Sequence, residues 1–503
     1  MTLWTPAERN FLDAVARLAY ANPFLPERIE LEKIALGKQF VPVALFWSSS
    51  PSDPEAVSPN VWKIAEKLEP LLARSRDRIA AATDLSNVDA ALYEAAVHNL
   101  LYQRCYPEFV ASGRTRWGFY KKFLSDWDFF FHIPGKRFET QLQPAHVFAC
   151  FWHIQRAFHH IFDGIIGNSL PAAKLRASVW ESVFTHDMHR YRRSLYKKMA
   201  EFPTLITGPS GSGKEIVARA IAGSRYVAFN PTRISFEEPK DGLREELFHA
   251  INMAALSPAL IESELFGHRR GAFTGAVGDR KGYLESCPLT GSIFLDELGE
   301  MDFGLQAKLL RVLETRTFQP VGDVVSRKFE GKLIAATNRD LGAEIVKGNF
   351  REDLYYRLCA DRIEVPALAE QLKDRPETLR ELVLYMARRA AGEDAEALSQ
   401  QVDAWIKKEL PANYLWPGNY RELEQCVRNI LIRRTYKPLE QTRPVTEDIF
   451  YQRMSRCEVT AAEVLGFYST LVYSECGSYE ETAKRIDLDR RTVKRHVNGH
   501  STR

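Results

Sequence analysis

The sequence predicts a multidomain protein: a mostly α N-terminal domain, an α/β core with an α-helical lid, and an all-α C-terminal domain. Three observations carry that expectation. Apolar residues recur at three- and four-residue steps through much of the first 163 residues. Gly208-Pro-Ser-Gly-Ser-Gly-Lys214-Glu215 then stands between a short apolar run, Pro203 to Ile206, and an amphipathic run, Ile216 to Ala222, which reads as strand, glycine-rich loop, helix. The last 28 residues, 476–503, carry seven Lys/Arg against four Asp/Glu and two short helical patterns.

With 503 residues the chain should hold about three compact parts. Its 45% hydrophobic and 26% charged content is that of ordinary globular protein. No run approaches the ~20 apolar residues of a membrane helix. The longest, Phe40 to Trp47, is interrupted by Pro42. The opening MTLWTPAERNFLDAV lacks a basic segment followed by an apolar one, so no signal peptide is expected. Seven scattered cysteines with no C-x-x-C pair read as reduced thiols, and a cytoplasmic location is expected. The net charge of +3 discriminates little among partners.

In the N-terminal part, helical spacing covers Phe11 to Tyr20, Val61 to Leu72, Ala90 to Leu101 and Phe119 to Phe131. Ser48 to Pro59 reads as a loop by composition. The dense aromatics between Trp117 and Phe162 read as a packed core. On a helix from His146 to Phe162, His146, Cys150, His153 and His160 share one face. His146 and His153 are two turns apart, roughly 10 Å, too far to share one ion. Cys150 and His153 could chelate only with ligands from elsewhere, so the face is read as a partly exposed one. No alternation of strands and helices marks a phospho-receiver, and the stimulus of this domain is not legible.

The central block carries the chemistry. In the loop Gly208, Pro209, Ser210, Gly211, Ser212, Gly213, Lys214, Glu215, glycines let backbone N–H groups converge on one concavity, and the following helix turns its positive end to the same spot. The spacing fits the Walker A pattern except at Glu215, where a hydroxyl residue usually meets the metal. About 80 residues on, Gly291-Ser-Ile-Phe-Leu-Asp296-Glu297 reads as a buried strand ending in two carboxylates. Asp296 is placed to hold magnesium and Glu297 to deprotonate an attacking water. The pair points to ATP hydrolysis with ATP and Mg2+ as cofactors. Lys332 to Asn338 is a third apolar strand with a polar tip, and in a parallel sheet such tips face the ligand. Arg351 and Arg357 offer guanidinium groups suited to a transferring phosphoryl group. Arg421, in the first turn of a helix after Trp416-Pro-Gly-Asn, sits where the helix dipole disfavours a cation, which points to a phosphate partner.

Between these motifs runs Glu262-Ser-Glu-Leu-Phe-Gly-His268, leading into Gly271-Ala272-Phe273-Thr274-Gly275-Ala276. The hexapeptide resembles the signature loop of the bacterial enhancer-binding proteins, the AAA+ activators of sigma-54 RNA polymerase. The resemblance covers about residues 164–435 and begins near Ile165-Ile166-Gly167, where that family flanks the adenine. It implies an AAA+ core over 164–365, a helical lid over 366–439, and a ring, hexameric in the family. It further implies that Asn252 restrains the catalytic glutamate, that Asn338 senses the γ-phosphate, that Arg351 and Arg357 act on a neighbour's ATP, and that Arg421 is the lid arginine. Glu215 matches the family's own glutamate. Residues 271–276 would touch sigma-54, with Phe273 as an apolar tip on a mobile loop.

Two departures stand out. Between Ser224 and Glu246 the chain has roughly 20 residues beyond the family spacing, read as an inserted hairpin or loop of unknown role. The usual lid opening appears here as Pro366-Ala-Leu-Ala-Glu370-Gln371.

After a linker at Glu440 to Val445, residues 440–503 read as three helices. The last two, Tyr479 to Ile486 and Asp489 to Val497, are joined at Asp487-Leu488, with Asp489 as N-cap and Val493 and Val497 inward. Arg490, Arg491, Thr492, Lys494 and Arg495 would then face DNA, as in the Fis-type helix-turn-helix of this family. The expected partners are the sigma-54 RNA polymerase holoenzyme, enhancer DNA and further copies of the chain, with no membrane. The rival readings are a DNA-binding regulator with a vestigial ATPase, and a remodeller of another target. The domain over 1–163 is expected to regulate the rest.

Overall fold

A computed structural model describes residues 3–44, 59–111, 117–138, 143–237, 247–439, 450, 454 and 458–500, with side chains to 497. The chain forms two compact units, Met1–Tyr436 and Lys437–Arg503. No helix among the described residues is long and apolar enough to cross a membrane.

The centre of the first unit is a five-stranded parallel sheet: β1 (Thr204–Thr207), β2 (Phe248–Asn252), β3 (Ser292–Asp296), β4 (Lys332–Thr337) and β5 (Arg362–Glu364), in the order β5-β1-β4-β3-β2. Strand parity assigns the two faces. Leu205, Ile293, Leu295, Leu333 and Ala335 enter one apolar cluster, and Ile206, Phe294, Ile334, Ala336 and Ile363 enter the other. Burial on both faces explains why these strands read as continuous apolar runs. Helices Thr378–Ala391, Ala395–Glu409 and Asn419–Arg433 form a separate cluster around Leu382, Val402 and Val427.

The N-terminal helices are Pro6–Leu18, Glu27–Leu36, Pro59–Ala81, Asn87–Ala111, Tyr120–Phe131 and Pro144–Gly164. Spacing alone did not single out the second of these. Most of the expected loop at 48–59, and the linker at 440–445, lie outside the described residues. The aromatics do form a packed core, with Phe123, Trp127, Phe131, Phe148 and Trp152 all buried.

Helix Pro144–Gly164 ties this bundle to the sheet. Its first half packs in the N-terminal cluster, while Ala157, Ile161 and Phe162 share a cluster with Ile206, Val217 and Phe294. The insertion ties the two from the other side. Phe229–Asn230 and Ser235–Phe236 pair as an antiparallel hairpin, its turn held by Asn230 Oδ1 accepting from the N–H groups of Thr232 and Arg233 at 3.1 and 3.0 Å. The Phe236 ring stacks on Trp152 at 3.9 Å, and Phe229 lies 4.8 Å from Phe148. A segment that belongs in sequence to the ATPase block thus completes the core of the N-terminal bundle. Residues 238–246 of the insertion lie outside the described residues.

In the second unit, helices Ala461–Cys476, Tyr479–Arg485 and Arg490–His500 pack around Ala483, Val493 and Val497. Thr460 and Glu463 form a capping box at the first, and Gly477, at φ 65°, ends it. Asp489 Oδ1 accepts from the N–H groups of Arg491 and Thr492, both at 2.9 Å.

Candidate functional site: a phosphate-binding cleft under a helical lid

The glycine-rich loop leaves β1 through Gly208, Gly211 and Gly213 at φ 152°, 74° and 96°. Two of these are obligatory for space. A Cβ on Gly208 would sit 2.6 Å from the Val365 carbonyl, and one on Gly211 would sit 2.3 Å from that of Gly418. Helix Lys214–Gly223 follows, and its N-terminal end faces the loop.

Lys214 folds back over the loop, donating to the carbonyls of Gly208 and Pro209 at 3.1 Å each. Burial holds its pKa below the ordinary lysine value, with Glu297 and Asp296 opposing that shift. Asp296 ends β3, and one of its carboxylate oxygens accepts from the Glu297 N–H at 3.0 Å. Glu297 takes the left-handed conformation, φ 52°, which turns the chain at the strand tip. Among the described residues, Thr207 Oγ1 and Ser212 Oγ are buried without a hydrogen-bond partner. The orphaned Ser212 hydroxyl, a lysine and two carboxylates line one cavity, a donor set that fits a magnesium-bound phosphate chain. Glu215 lines the cleft but spends its carboxylate on Arg219, at 2.7 and 2.9 Å.

The lid closes on the loop through contacts that sequence motifs alone did not reveal. Asn419 Nδ2 donates to the Ser210 carbonyl at 2.9 Å, and the Tyr420 N–H donates to that of Gly211 at 3.1 Å. Asn419 Oδ1 accepts from the Leu368 N–H at 2.8 Å, which anchors the variant lid opening to the same turn. Arg421 reaches Ser210 Oγ at 3.4 Å. Leu382, Tyr385, Met386 and Arg389 also line the cleft, opposite Ile165 and Ile166. The buried Arg176 guanidinium shapes that side by donating to the carbonyls of Ile165 and Gly167 at 2.8 and 2.6 Å.

The remaining expected residues divide into two groups. Asn252 ends β2 directly opposite Asp296 in register, with its Oδ1 accepting from the Ala254 N–H at 2.8 Å. Asn338 follows the end of β4, the strand between β1 and β3. Both are therefore at the carboxyl edge of the sheet. Arg351 and Arg357 are not among the described residues lining the cleft. Arg351 is held by Asp353 at 2.7 and 3.0 Å, and Arg357 lies 58% exposed, 3.6 Å from Glu314.

Residues 271–276 cap a short hairpin, Gly267–His268 against Arg280–Lys281. The Gly271 N–H donates to the Ala276 carbonyl at 2.9 Å, and Gly271 and Gly275 take φ 80° and 101°. Phe273 is 41% exposed and rests edge-on to His268. A second loop, missed in the sequence, lies against the first. The Arg269 N–H donates to the Val321 carbonyl at 3.0 Å, and the Arg269 side chain joins Asp279 and Asp323 at 2.5 and 2.8 Å. Val324 and Val325 of this second loop, and Val277 just after the hexapeptide, are exposed. The signal in hindsight is Val-Gly-Asp-Val-Val, an apolar turn with no core to fill.

On the histidine face of helix Pro144–Gly164, His146 and His160 are partly exposed as expected, whereas Cys150 and His153 are buried, His153 because it meets the far end of the glycine-loop helix. His153, 1% exposed, donates through Nε2 to the Ser224 carbonyl, and its Nδ1 accepts from the Tyr191 hydroxyl at 2.8 Å. Burial pulls its pKa down to about 3. His146 donates to the Arg192 carbonyl and accepts from the Tyr226 hydroxyl, both at 2.7 Å. Arg156 donates to the Arg225 carbonyl. Cys150 Sγ lies 3.6 Å from His146 Nε2.

In the second unit Arg490 pairs with Glu480 at 3.0 Å, and the Thr492 hydroxyl donates to Asp489 at 2.5 Å. Arg491, Lys494 and Arg495 are exposed on one helix.

A parallel sheet with a glycine-rich loop, paired carboxylates at the next strand tip and a helical lid defines the P-loop class of α/β modules. Comparison with known proteins places it within that class. Residues 183–364 match the family model of the sigma-54 interaction domain. The chain is 44% identical over 223 residues to a Nif-specific regulatory protein of Herbaspirillum seropedicae, covering 44% of this chain and 37% of that one. It is 42% identical over 234 residues to the regulatory protein LuxO of Vibrio parahaemolyticus, covering 46% and 47%. To the DNA-binding transcriptional regulator NtrC of Rhizobium meliloti it is 38% identical over 279 residues, covering 53% and 52%. Residues 183–364 are therefore a sigma-54 interaction domain, and the chain spans about half the length, or less, of these relatives.

Proposed function

We propose that this chain hydrolyses ATP to remodel sigma-54 RNA polymerase at promoters while bound to upstream enhancer DNA. One observation carries the reading: a complete phosphate cleft, with Lys214, Asp296, Glu297 and a lid arginine, sits in the same α/β module as the exposed 271–276 loop.

Lys214 and the loop N–H groups bind the outer phosphates. Asp296 would hold magnesium, which neutralises phosphate-oxygen charge when bound. Glu297 accepts a proton from the attacking water, and Asn252, level with Asp296, is in position to restrain Glu297 until the γ-phosphate is bound. Asn338 reports the γ-phosphate from the β4 tip. Arg421 and Asn419 couple the lid to the loop. Arg351 and Arg357 serve a neighbouring subunit's cleft, because they stand outside their own. That requires a ring, hexameric by the family resemblance. The nucleotide state then moves the 271–276 loop, with Phe273 and Thr274 as its contacts to sigma-54. Arg491, Lys494 and Arg495 supply DNA phosphate and base contacts; Arg490 and Thr492 are partly spent on Glu480 and Asp489.

The test mixes the full chain with purified sigma-54, ADP and aluminium fluoride and looks for a stable complex by native gel. A complex that forms with the natural chain and is lost in Thr274→Ala, with ATP turnover retained, upholds the proposal. No complex despite turnover would assign the motor another target. No turnover at all would favour a regulator with a vestigial ATPase.

A further inference from the structure

Among the described residues, most apolar side chains of the N-terminal bundle are packed in one buried cluster. A cavity of about 320 Å³ opens between the bundle and the helices that lead into the sheet. Native cores hold few voids larger than a water, because an unfilled wall forfeits its dispersion contacts. This volume is at the lower end of the range that small-molecule sites occupy. The walls are mostly apolar and ring-bearing, with Trp62, Tyr102, Phe151, Phe158 and Trp180 among them.

One end is polar. The Arg192 guanidinium is there, donating to His98 Nδ1 at 2.8 Å and lying 3.8 Å from the Glu94 carboxylate. Burial, reinforced by Arg192, keeps His98 neutral by holding its pKa well below the usual histidine value. The other buried charges at the cavity, Arg28 and Glu32, are paired with each other at 2.5 Å. Arg192 is also paired, but its Glu94 partner stands at 3.8 Å, beyond hydrogen-bond distance, which makes Arg192 the cation whose remaining N–H groups are best placed to meet an incoming acceptor.

The cavity shares a wall with the motor. Cys150, Ile154 and Phe158 line it from helix Pro144–Gly164. From the same helix, His153 and Arg156 grip the Ser224 and Arg225 carbonyls, just past the end of the glycine-loop helix. His160 packs on Gly223, where a Cβ would stand 3.0 Å from its ring. Trp180, Met188 and Tyr191 close the cavity from the chain that leads to β1. An occupant would touch both the bundle and the motor, and its energy of binding would be felt along one rigid helix.

We propose that this cavity is an effector site for a small, ring-bearing apolar molecule with one carboxylate or carbonyl acceptor directed at Arg192, and that its occupancy alters ATP binding through helix Pro144–Gly164. The site stands on its own geometry; only the coupling rests on the ATPase reading.

The probe is 2-naphthoate, titrated into the full chain by calorimetry, with 2-naphthol as the neutral comparison. The expected result is one site per chain. The carboxylate should bind about tenfold or more tighter than the naphthol, as a charge-assisted contact requires. Ile154→Trp, which fills the cavity from the shared helix, should abolish the binding heat while the circular dichroism spectrum is unchanged. Arg192→Gln should erase the preference for the carboxylate. Binding retained in Ile154→Trp, or no binding of either probe, overturns the site; equal affinities overturn the Arg192 anchor. A saturating probe should change the affinity for a non-hydrolysable ATP analogue about fivefold or more, and the analogue should change the probe's affinity by the same factor. Probe binding without that change would overturn the coupling and leave the site intact.

Discussion

The cleft and the bundle junction use the same helix, Lys214–Gly223, from opposite ends. At its N-terminus, glycines, the orphaned Ser212 hydroxyl and Lys214 form a surface left open for an anion. At its C-terminus, the next carbonyls, Ser224 and Arg225, are occupied by His153 and Arg156. One end is kept polar and open, the other sealed with aromatic packing. The difference teaches that one helix can present an open anion site at one end while its other end is held by a separate helical bundle, with no contact between the two.

The comparison can be broken first at the open end. Glu297→Gln should lower ATP turnover by about 10²–10⁴-fold with nucleotide affinity retained, measured by phosphate release and equilibrium binding. Retained turnover would remove Glu297 from the role of base. At the sealed end, Phe229→Ala should cost about 3–5 kcal/mol in denaturant unfolding, because it empties the hairpin's anchor in the bundle. The same change at Phe273 should leave stability within about 0.5 kcal/mol and abolish activation. If the two alanine variants behave alike, the distinction between core hairpin and working loop fails.

Acid should separate the ends next. His153 is held near pKa 3, while the unfolded chain takes up its proton near ~6.5. Its folded pKa is depressed, so its contribution is present above about pH 6.5 and declines as pH falls toward about 3, by ~1.4 kcal/mol per pH unit. His160, held at about 4 by burial, acts in the same sense. Thermal unfolding followed from pH 7.5 to 5 should show this slope, and His153→Gln should flatten it. The smallest effect belongs to the second unit, where Asp489→Ala removes an N-cap and should cost about 1 kcal/mol in that unit's unfolding.

The local chemistry was legible in the sequence because it is local. Gly208 to Lys214 must curl as it does, since its glycines are followed at once by an amphipathic helix. Asp296 and Glu297 end an apolar strand, and the helical turn at Asp489 announces its own cap. The lid's grip through Asn419 and Tyr420 was not legible, since it joins residues some 200 positions apart through backbone groups that carry no sequence signature. The loop at 319–325 was hidden for the same reason.

The sequence by itself determined the elements of the P-loop module: the strands with polar tips, the glycine-rich loop and the hexapeptide. All of these depend on short-range backbone geometry and residue type. Only the tertiary structure decided what surrounds the motor. It showed that the 229–236 hairpin of the insertion fills the bundle's core, that His153 of helix Pro144–Gly164 is buried against Ser224, and that a cavity is left beside Arg192. Helical periodicity identifies a face, but which partner covers it depends on how distant segments pack together, and no short pattern of residues encodes that.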